Sequence, residues 1–446
     1  MEDDNARQLL NDLICAAKEK GADSVDAVFA QGDSLSVSWR GGKVEMLERA
    51  EGADLGLRAF IGQKQASCST SDMSKEALKE IVDRVLSMAK AAPEDPYCGL
   101  ADEGDIAKNF PSLDLSDDFD IEAPHLIELA REMEKVALDV EGVSQCESTN
   151  AGASKSSVFL AASNGFSGGY ERTHYALSAS ALAGEGTAME RDGESVSVTH
   201  KADLPCPFEI GKKAGEKAVK NLGARKMPSC QASVVFHPEE AAGLLGNFAG
   251  VIKGSAIARG TSFLKEFMGK QVFAEGITII DDPFRMRGLR SRSFDGEGLL
   301  PEKRTIVENG VLQTWLLDLR SARQLGLKST GHASRGTSGV PAPSPNNFYM
   351  NGGPLIPQEL MSDIKEGFYV TETMGMGVNG VTGDYSLAAR GFWIEDGEIS
   401  FPVNEMTIAG NLKEMFLHMT PANDLVFRHG IDAPTLRVEG MTIAGV

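Results

Sequence analysis

The sequence predicts an α+β fold in two parts. An N-terminal two-layer α+β domain over residues 1–225 carries a pseudo-repeat of helices and antiparallel strands. A β-rich C-terminal domain over residues 226–446 is expected to hold a mostly antiparallel sheet, curled or barrel-like. Three observations predict this. Stretches with helical apolar spacing alternate with stretches in which every second residue is apolar. The same order of elements occurs twice in the first half. From Met227 onward the chain changes to short strands joined by glycine turns.

Leu9, Leu10, Leu13, Ile14 and Ala17 share one face of a helix that ends at Gly21. Leu35, Val37 and Trp39 then alternate with polar residues as a half-buried strand does. Gly41-Gly42 turns the chain into a strand over residues 43–49, and Leu55, Leu57, Ala59 and Ile61 alternate again. A second helix over residues 74–92 carries Leu78, Ile81, Val82, Val85, Leu86 and Ala89 on one face and stops at Pro93. An acidic, proline-bearing connector occupies residues 93–120. Pro124 then suits a first helical turn, and Leu126, Leu129, Met133 and Val136 continue with helical spacing. Asn164-Gly165 marks a hairpin, because both residue types accept positive φ, and residues 208–222 form a helix closed by Gly223.

In the second half, residues 233–236 read as a strand and residues 238–253 as a helix. Asn309-Gly310 joins strands over 303–308 and 311–317, and Asp396-Gly397 joins strands over 392–395 and 398–401. The stretch 328–354, rich in Ser, Gly, Pro and Asn, is too long for a simple connector and reads as a mobile or functional loop.

Composition narrows the function. The 44 basic and 64 acidic side chains give a net charge of -20, which argues against a nucleic-acid partner, since that affinity comes from cations displacing counterions. With 42% hydrophobic and 24% charged residues the chain reads as a soluble globular protein. There is no apolar run long enough to span a membrane, and the start MEDDNARQLL is acidic where a signal peptide is basic, so a cytoplasmic location is expected. Cys15, Cys68, Cys98, Cys146, Cys206 and Cys230 are widely spaced and form no CxxC pair.

Two motif matches lack their required context. Gly165 to Gly169 fits G-x-S-x-G, but a nucleophile elbow needs a helix after Ser167, and Tyr175, Leu177, Ala179 and Ala181 alternate as in a strand. Gly375, Gly377 and Gly380 fit G-x-G-x-x-G, but residues 381–386 start a helix poorly, so a loop with close backbone approach is expected instead of a dinucleotide site. Seven histidines are scattered, none three or four residues from another, so no helical zinc pair exists. His237 precedes Pro238, Glu239 and Glu240, an arrangement suited to a strand-to-helix junction.

That junction carries a resemblance. Val234-Val235-Phe236-His237-Pro238-Glu239-Glu240-Ala241-Ala242-Gly243-Leu244-Leu245-Gly246, Thr261-Ser262-Phe263-Leu264, Gly383-Asp384-Tyr385-Ser386 and Gly391-Phe392-Trp393-Ile394-Glu395-Asp396-Gly397 together resemble the TldD/PmbA family, once called modulators of DNA gyrase. The likeness spans most of residues 230–412 and is weaker before them. In that family the TldD-type subunit carries HExxxH on the matching helix and a cysteine near its C-terminus, which hold the catalytic metal. Here His237 matches the first histidine, but Pro238 stands at the glutamate and Ala242 at the second histidine, and no cysteine follows Cys230.

The chain is therefore similar to the other, TldE/PmbA-type branch. The resemblance implies a metal-free subunit of a two-chain cytoplasmic metalloprotease acting on peptides. It implies no catalytic residue and no cofactor in this chain, with zinc expected in a TldD-type partner and His237 as a degenerate metal-motif position. Gly375, Gly377, Gly380, Gly383, Asp384, Tyr385 and Ser386 are the candidate peptide-binding or interface residues, being mostly turn formers that let main chains approach closely. Glycine hairpins and strand edges in the C-terminal half are expected to mediate a heterodimer, or a homodimer in isolation. Two alternatives stay open: a peptidase active alone through scattered ligands such as His237, His332, Asp384 and His418, and a gyrase-binding regulator.

Overall fold

A computed structural model describes residues 3–445. Strands β1 (Ser24–Arg40), β2 (Lys43–Ile61), β3 (Lys64–Thr70), β4 (Val143–Ala162), β5 (Ser167–Ala183) and β6 (Glu190–Val198) form one antiparallel sheet in the order β3-β2-β1-β4-β5-β6. Helices α1 (Asp3–Glu19) and α2 (Lys75–Ala91) cover one part of its face, and α3 (Ala123–Leu138) and α4 (Pro207–Lys220) cover the other. Each helix pair closes its own core. Leu10, Leu13, Phe29, Leu57 and Val85 belong to the first, and Val37, Trp39, Met133, Leu177 and Ile210 to the second. This is the two-layer pseudo-repeat that the spacing predicts.

The strands are longer than local patterning indicates. The pieces expected at 43–49 and 55–61 are one strand of 19 residues, because β1 pairs with it from Ser24↔Phe60 to Arg40↔Lys43. Pairing through Gly52 overrides the polar stretch between them, since ladder hydrogen bonds do not depend on side-chain type.

In the second half, β7 (Cys230–Phe236), Glu366–Met374, Asp384–Glu395, Glu398–Asn411 and Leu436–Ala444 pair in sequence around a ring, and the last two also pair with each other. The sheet is thus a closed barrel, as its curled prediction anticipated. Closure removes free edges. The unpaired edges expected in this sheet therefore lie elsewhere among the described residues, including β3, β6 and the part of β2 before Leu55.

Helix α5 (Pro238–Val251) shares a single core with the barrel through Leu244, Leu245, Phe248, Phe236, Phe368 and Val370. It ends before residue 253 because the chain leaves it for a tertiary partner: the amide of Gly254 donates to Leu316 O (2.8 Å) and that of Leu316 to Ile252 O (3.1 Å). The same contacts take Leu316 out of the expected strand 311–317, of which only Val311–Leu312 is extended. The loop expected at 328–354 is corrected too. It contains the buried strand Asn347–Met350, paired on both sides within a small five-stranded sheet whose central strand, Ile279–Asp282, is one of its neighbours. Its polar entry is tied down internally, Asn346 Nδ2 donating to Asp281 Oδ1 (2.6 Å) and Asn347 Nδ2 to Asp282 O (2.7 Å), while Asn346 Oδ1 has no partner among the described residues.

The face of the N-terminal sheet away from the helices packs on C-terminal segments. Gly56 permits this, since any Cβ there would collide with the backbone of Thr337. Beside this contact lie Asp295 and Glu297, 1% and 8% exposed. Burial and neighbouring Asp295 push the Glu297 carboxyl up to about 8, against the pull of Arg58, and Asp318 adds to the rise. Burial likewise raises Asp295, although the amides of Leu299, Glu297 and Ala333 and the Arg292 charge oppose it.

A carboxyl with a raised folded-state pKa contributes full stability below its unfolded value of 4.5 and loses it as pH rises through the folded value of about 8. Stability should therefore fall over that window by an amount on the order of a few kcal/mol. Urea unfolding of the wild type and Glu297→Gln at about pH 5 and about pH 8 tests this. The variant should gain on the wild type at the higher pH, whereas equal slopes would contradict the argument.

Candidate functional site

The candidate site begins where β7 hands over to α5. The His237 amide donates to Val370 O (2.9 Å), which fixes the junction against the barrel. His237 is the N-cap: its Nδ1 accepts from the amide of Glu239 (3.4 Å), and Pro238 starts the helix. The imidazole stands edge-on to Tyr369, with ring centroids 6.3 Å apart. It faces a cleft of about 370 Å³ between α4 and the barrel, lined by Asp192, Lys217, His237, Glu239, Tyr369 and Thr371 among others.

Charges in this cleft are matched. Arg428 Nη1 lies 3.2 Å from Glu239 Oε1, and Lys217 Nζ lies 2.6 Å from Glu194 and 4.0 Å from Glu239. Burial pushes the His237 imidazole below its usual range despite the nearby Glu239 carboxylate. Against the opposite pull of burial, Lys217 and Arg428 hold the Glu239 carboxyl below its ordinary value. Glu194 and Glu239 in turn hold Lys217 above its own. At neutral pH the cleft therefore presents a neutral imidazole among paired ions, with the Tyr369 phenol pushed up to about 12 by burial.

A zinc ion needs three or four ligands here, and the residues present do not fit one. Five residues along from His237, Ala242 offers no donor atom. The nearest carboxylates already hold Lys217 and Arg428. Cys230 sits at the far end of β7, roughly 20 Å away at 3.3 Å per residue.

The scattered alternative set fares no better. His332 is fully buried, with Nε2 3.1 Å from Asp281 Oδ1 and Nδ1 2.8 Å from Thr330 Oγ1. His418 Nδ1 lies 2.9 Å from Glu414 O, and Asp384 Oδ2 accepts from Thr382 Oγ1 (2.6 Å). Among the described residues no three His, Cys, Asp or Glu side chains gather as a metal site.

The glycine loop lies alongside α5. It joins the strands Glu366–Met374 and Asp384–Glu395, so a strand follows Gly380 where a dinucleotide site needs a helix. Ser167 likewise opens β5, which leaves no nucleophile elbow. The loop is tightly tied: Ser386 N donates to Gly377 O and Asn379 N to Asp384 O, both at 2.8 Å. It reaches α5 twice, through Thr373 Oγ1 donating to Glu240 Oε2 (2.6 Å) and through Gly380 against Val251.

Gly375, Gly377, Gly380, Gly383, Asp384 and Ser386 thus share one small region, beside the helix that His237 caps. Tyr385 does not join their surface: it is 3% exposed and belongs to the barrel core. Met374, Met376 and Val381 project instead, Met376 fully exposed. The local sequence did not single out these apolar side chains. Nor did it single out Lys217, Glu194 or Arg428, which come from distant segments and carry no spacing signal relative to His237.

Comparison with known proteins gives matches along the chain. PmbA/TldA metallopeptidase domain 1 matches residues 25–89, the central domain of that family residues 116–222, and its C-terminal domain residues 229–445. The metalloprotease PmbA of Escherichia coli O157:H7 is 35% identical over 446 residues, covering 98% of this chain and 97% of that protein. The Haemophilus influenzae PmbA homolog is 34% identical, covering 100% and 97%. A Bacteroides thetaiotaomicron crystal structure, of a candidate modulator of DNA gyrase, superposes with a TM-score of 0.91 at 26% identity over 100% of both chains. TldE from Thermococcus kodakarensis superposes with a TM-score of 0.87 over 98% of this chain and 100% of that one; at 21% identity this is a likeness of fold.

Proposed function

The chain belongs to the PmbA/TldD metallopeptidase family, and from this membership we propose that it is the metal-free, TldE-type subunit of a two-chain peptidase whose zinc is held by a TldD-type partner. The observation that carries the proposal is the first turn of α5. His237 spends Nδ1 on capping the helix, the position five residues on is Ala242, and Lys217 and Arg428 neutralise the nearby carboxylate of Glu239. Such a site binds polar groups but neither grips a metal nor activates a water.

Peptide binding and partner contact fall to the glycine loop and the cleft beside it. Exposed Met374, Met376 and Val381 supply the apolar contact, and close-lying main chain supplies hydrogen-bonding groups. The same surface would pair two copies when the partner is missing. Work in the cytoplasm accords with six free cysteines, and no described helix is long and apolar enough to cross a membrane.

Elemental analysis and peptide cleavage test this together. The purified chain should hold far less than stoichiometric zinc and cleave nothing alone, and cleavage should appear on mixing with a zinc-loaded TldD-type chain. Stoichiometric zinc that disappears in His237→Ala, or full cleavage by this chain alone, would sink the proposal.

A further inference from the structure

On the side of the molecule formed by the second face of the N-terminal sheet lies another cavity, of about 280 Å³. Its walls come from β1, β4 and β5 on one side and from residues 289–296 and 334–335 on the other. Four arginines line it: Arg172, Arg290, Arg292 and Arg335. In a chain of net charge -20 such a concentration of positive charge is not a consequence of composition.

Their counter-charges are too few. Arg335 pairs with Asp26 (2.6 Å), but Asp26 also serves Arg58. Arg172 donates to the carbonyls of Leu289 and Ser291, and Arg292 to Ala333 O (2.9 Å); among the described residues neither reaches a carboxylate at ion-pair distance. The Arg290 guanidinium makes no hydrogen bond or ion pair among the described residues; the carboxylates of Asp281 and Asp432 attract it from beyond ion-pair distance, but Asp281 is held by Asn346 and His332, and Asp432 by the amides of Arg428, His429 and Gly430. The acid in the wall, Asp295, is occupied by the amides of Glu297, Leu299 and Ala333.

Buried guanidinium nitrogens without partners remain as well, Nε of Arg172 and both Nε and Nη2 of Arg335, whose side chain is 2% exposed. Burial, together with the neighbouring charge of Arg292, holds Arg172 and Arg290 below their usual range. Unpaired guanidinium charge in a half-enclosed space is costly unless an anion neutralises it.

The rest of the wall says which kind of anion. Val158, Leu160, Phe294 and the ring of Tyr170 form an apolar part of the wall beside the guanidinium groups. Inorganic phosphate would leave that part empty. The space is small for a ligand pocket, enough for about one amino-acid residue.

We propose that this cavity binds a carboxylate carried on a small apolar body, as presented by the free C-terminal residue of a peptide. Guanidinium forks match the planar carboxylate bidentately, and the aliphatic and aromatic wall receives the side chain. The inference stands apart from the two-chain proposal, because the cavity belongs wholly to this chain and its test needs no partner.

Isothermal titration of the full chain with N-acetyl-leucine, N-acetyl-leucinamide and inorganic phosphate provides that test. The acid should bind with a dissociation constant in the millimolar range or below, and the amide at least about tenfold more weakly, because it lacks the charge-assisted bonds. Arg290→Gln should weaken binding of the acid by about tenfold. Since the Arg290 side chain makes no hydrogen bond or ion pair, and glutamine keeps its packing stem while giving up both the repulsion from Arg292 and the more distant attraction of Asp281 and Asp432, the variant should unfold at about the same temperature as the wild type. Equal binding of acid and amide, tighter binding of phosphate, unchanged affinity in Arg290→Gln, or a lowered unfolding temperature marking a structural arginine would each overturn the assignment.

Discussion

Replacing Asp26 with alanine is expected to destabilise the protein by about 3–5 kcal/mol, the cost of leaving buried charges without their partner. Asp26 lies on β1 directly across from Arg58 on β2. Its carboxylate accepts from Arg58 Nε (3.0 Å) and Arg335 Nη1 (2.6 Å), and also from Arg58 Nη2. The side chains of Asp26, Arg58 and Arg335 are 3%, 4% and 2% exposed. Burial alone would raise the Asp26 carboxyl, but the two guanidinium groups outweigh it and hold it below its usual range.

Because Arg335 comes from the C-terminal half, the loss also loosens the contact between the two halves. Urea unfolding measures the change, and Asp26→Asn should recover only part of it, keeping shape but not charge. A loss below about 1 kcal/mol, the scale of an exposed pair, would show that water reaches the cluster.

The second large effect is expected at Gly377. Changing it to valine should lower peptide cleavage by the mixed complex by about tenfold to a hundredfold, the scale of misplacing a docked substrate by an ångström. A Cβ at Gly377 would collide with the carbonyl oxygen of Ser386, so the loop has to move off the strand that follows it. The distortion would propagate to Thr373 and its bond to Glu240 on α5. Metal content of the partner should stay constant, since no zinc ligand is touched. Cleavage rates and zinc content of the two complexes, with sedimentation to check assembly, give the answer; an unaffected variant complex would place the peptide elsewhere.

Much of the scaffold was legible because short-range chemistry sets it. Ser74 caps α2 by accepting from the amide of Ala77. Asn309-Gly310 and Asp396-Gly397 adopt positive φ at both residues, as hairpins of that kind require. In the 164–165 turn only Gly165 does so, and the hairpin forms all the same. The site was legible in part. The substitutions on α5 at Pro238 and Ala242 stand in the sequence, and so do the glycines of the loop. The cations that neutralise the cleft were not, because Lys217 on α4 approaches Glu239 only after the halves pack together, and Arg428 only after distant segments of the C-terminal half do.

By itself, the sequence determined the α+β class, most helix positions, the turns and which side chains stand at the start of α5, all of which depend on residues close together in the chain. Tertiary structure alone decided the rest. It turned Asp26 and Arg58, polar positions that a half-buried strand would show to water, into interior ions. It drew residues 347–350 of the 328–354 stretch into a buried sheet and closed the barrel. It also gathered four arginines from β5 and two distant loops around one cavity. The physical reason is that apolar periodicity reports which face of an element is buried against its nearest neighbour. What covers the opposite face, and which distant charges then meet in low dielectric, depends on how whole elements pack.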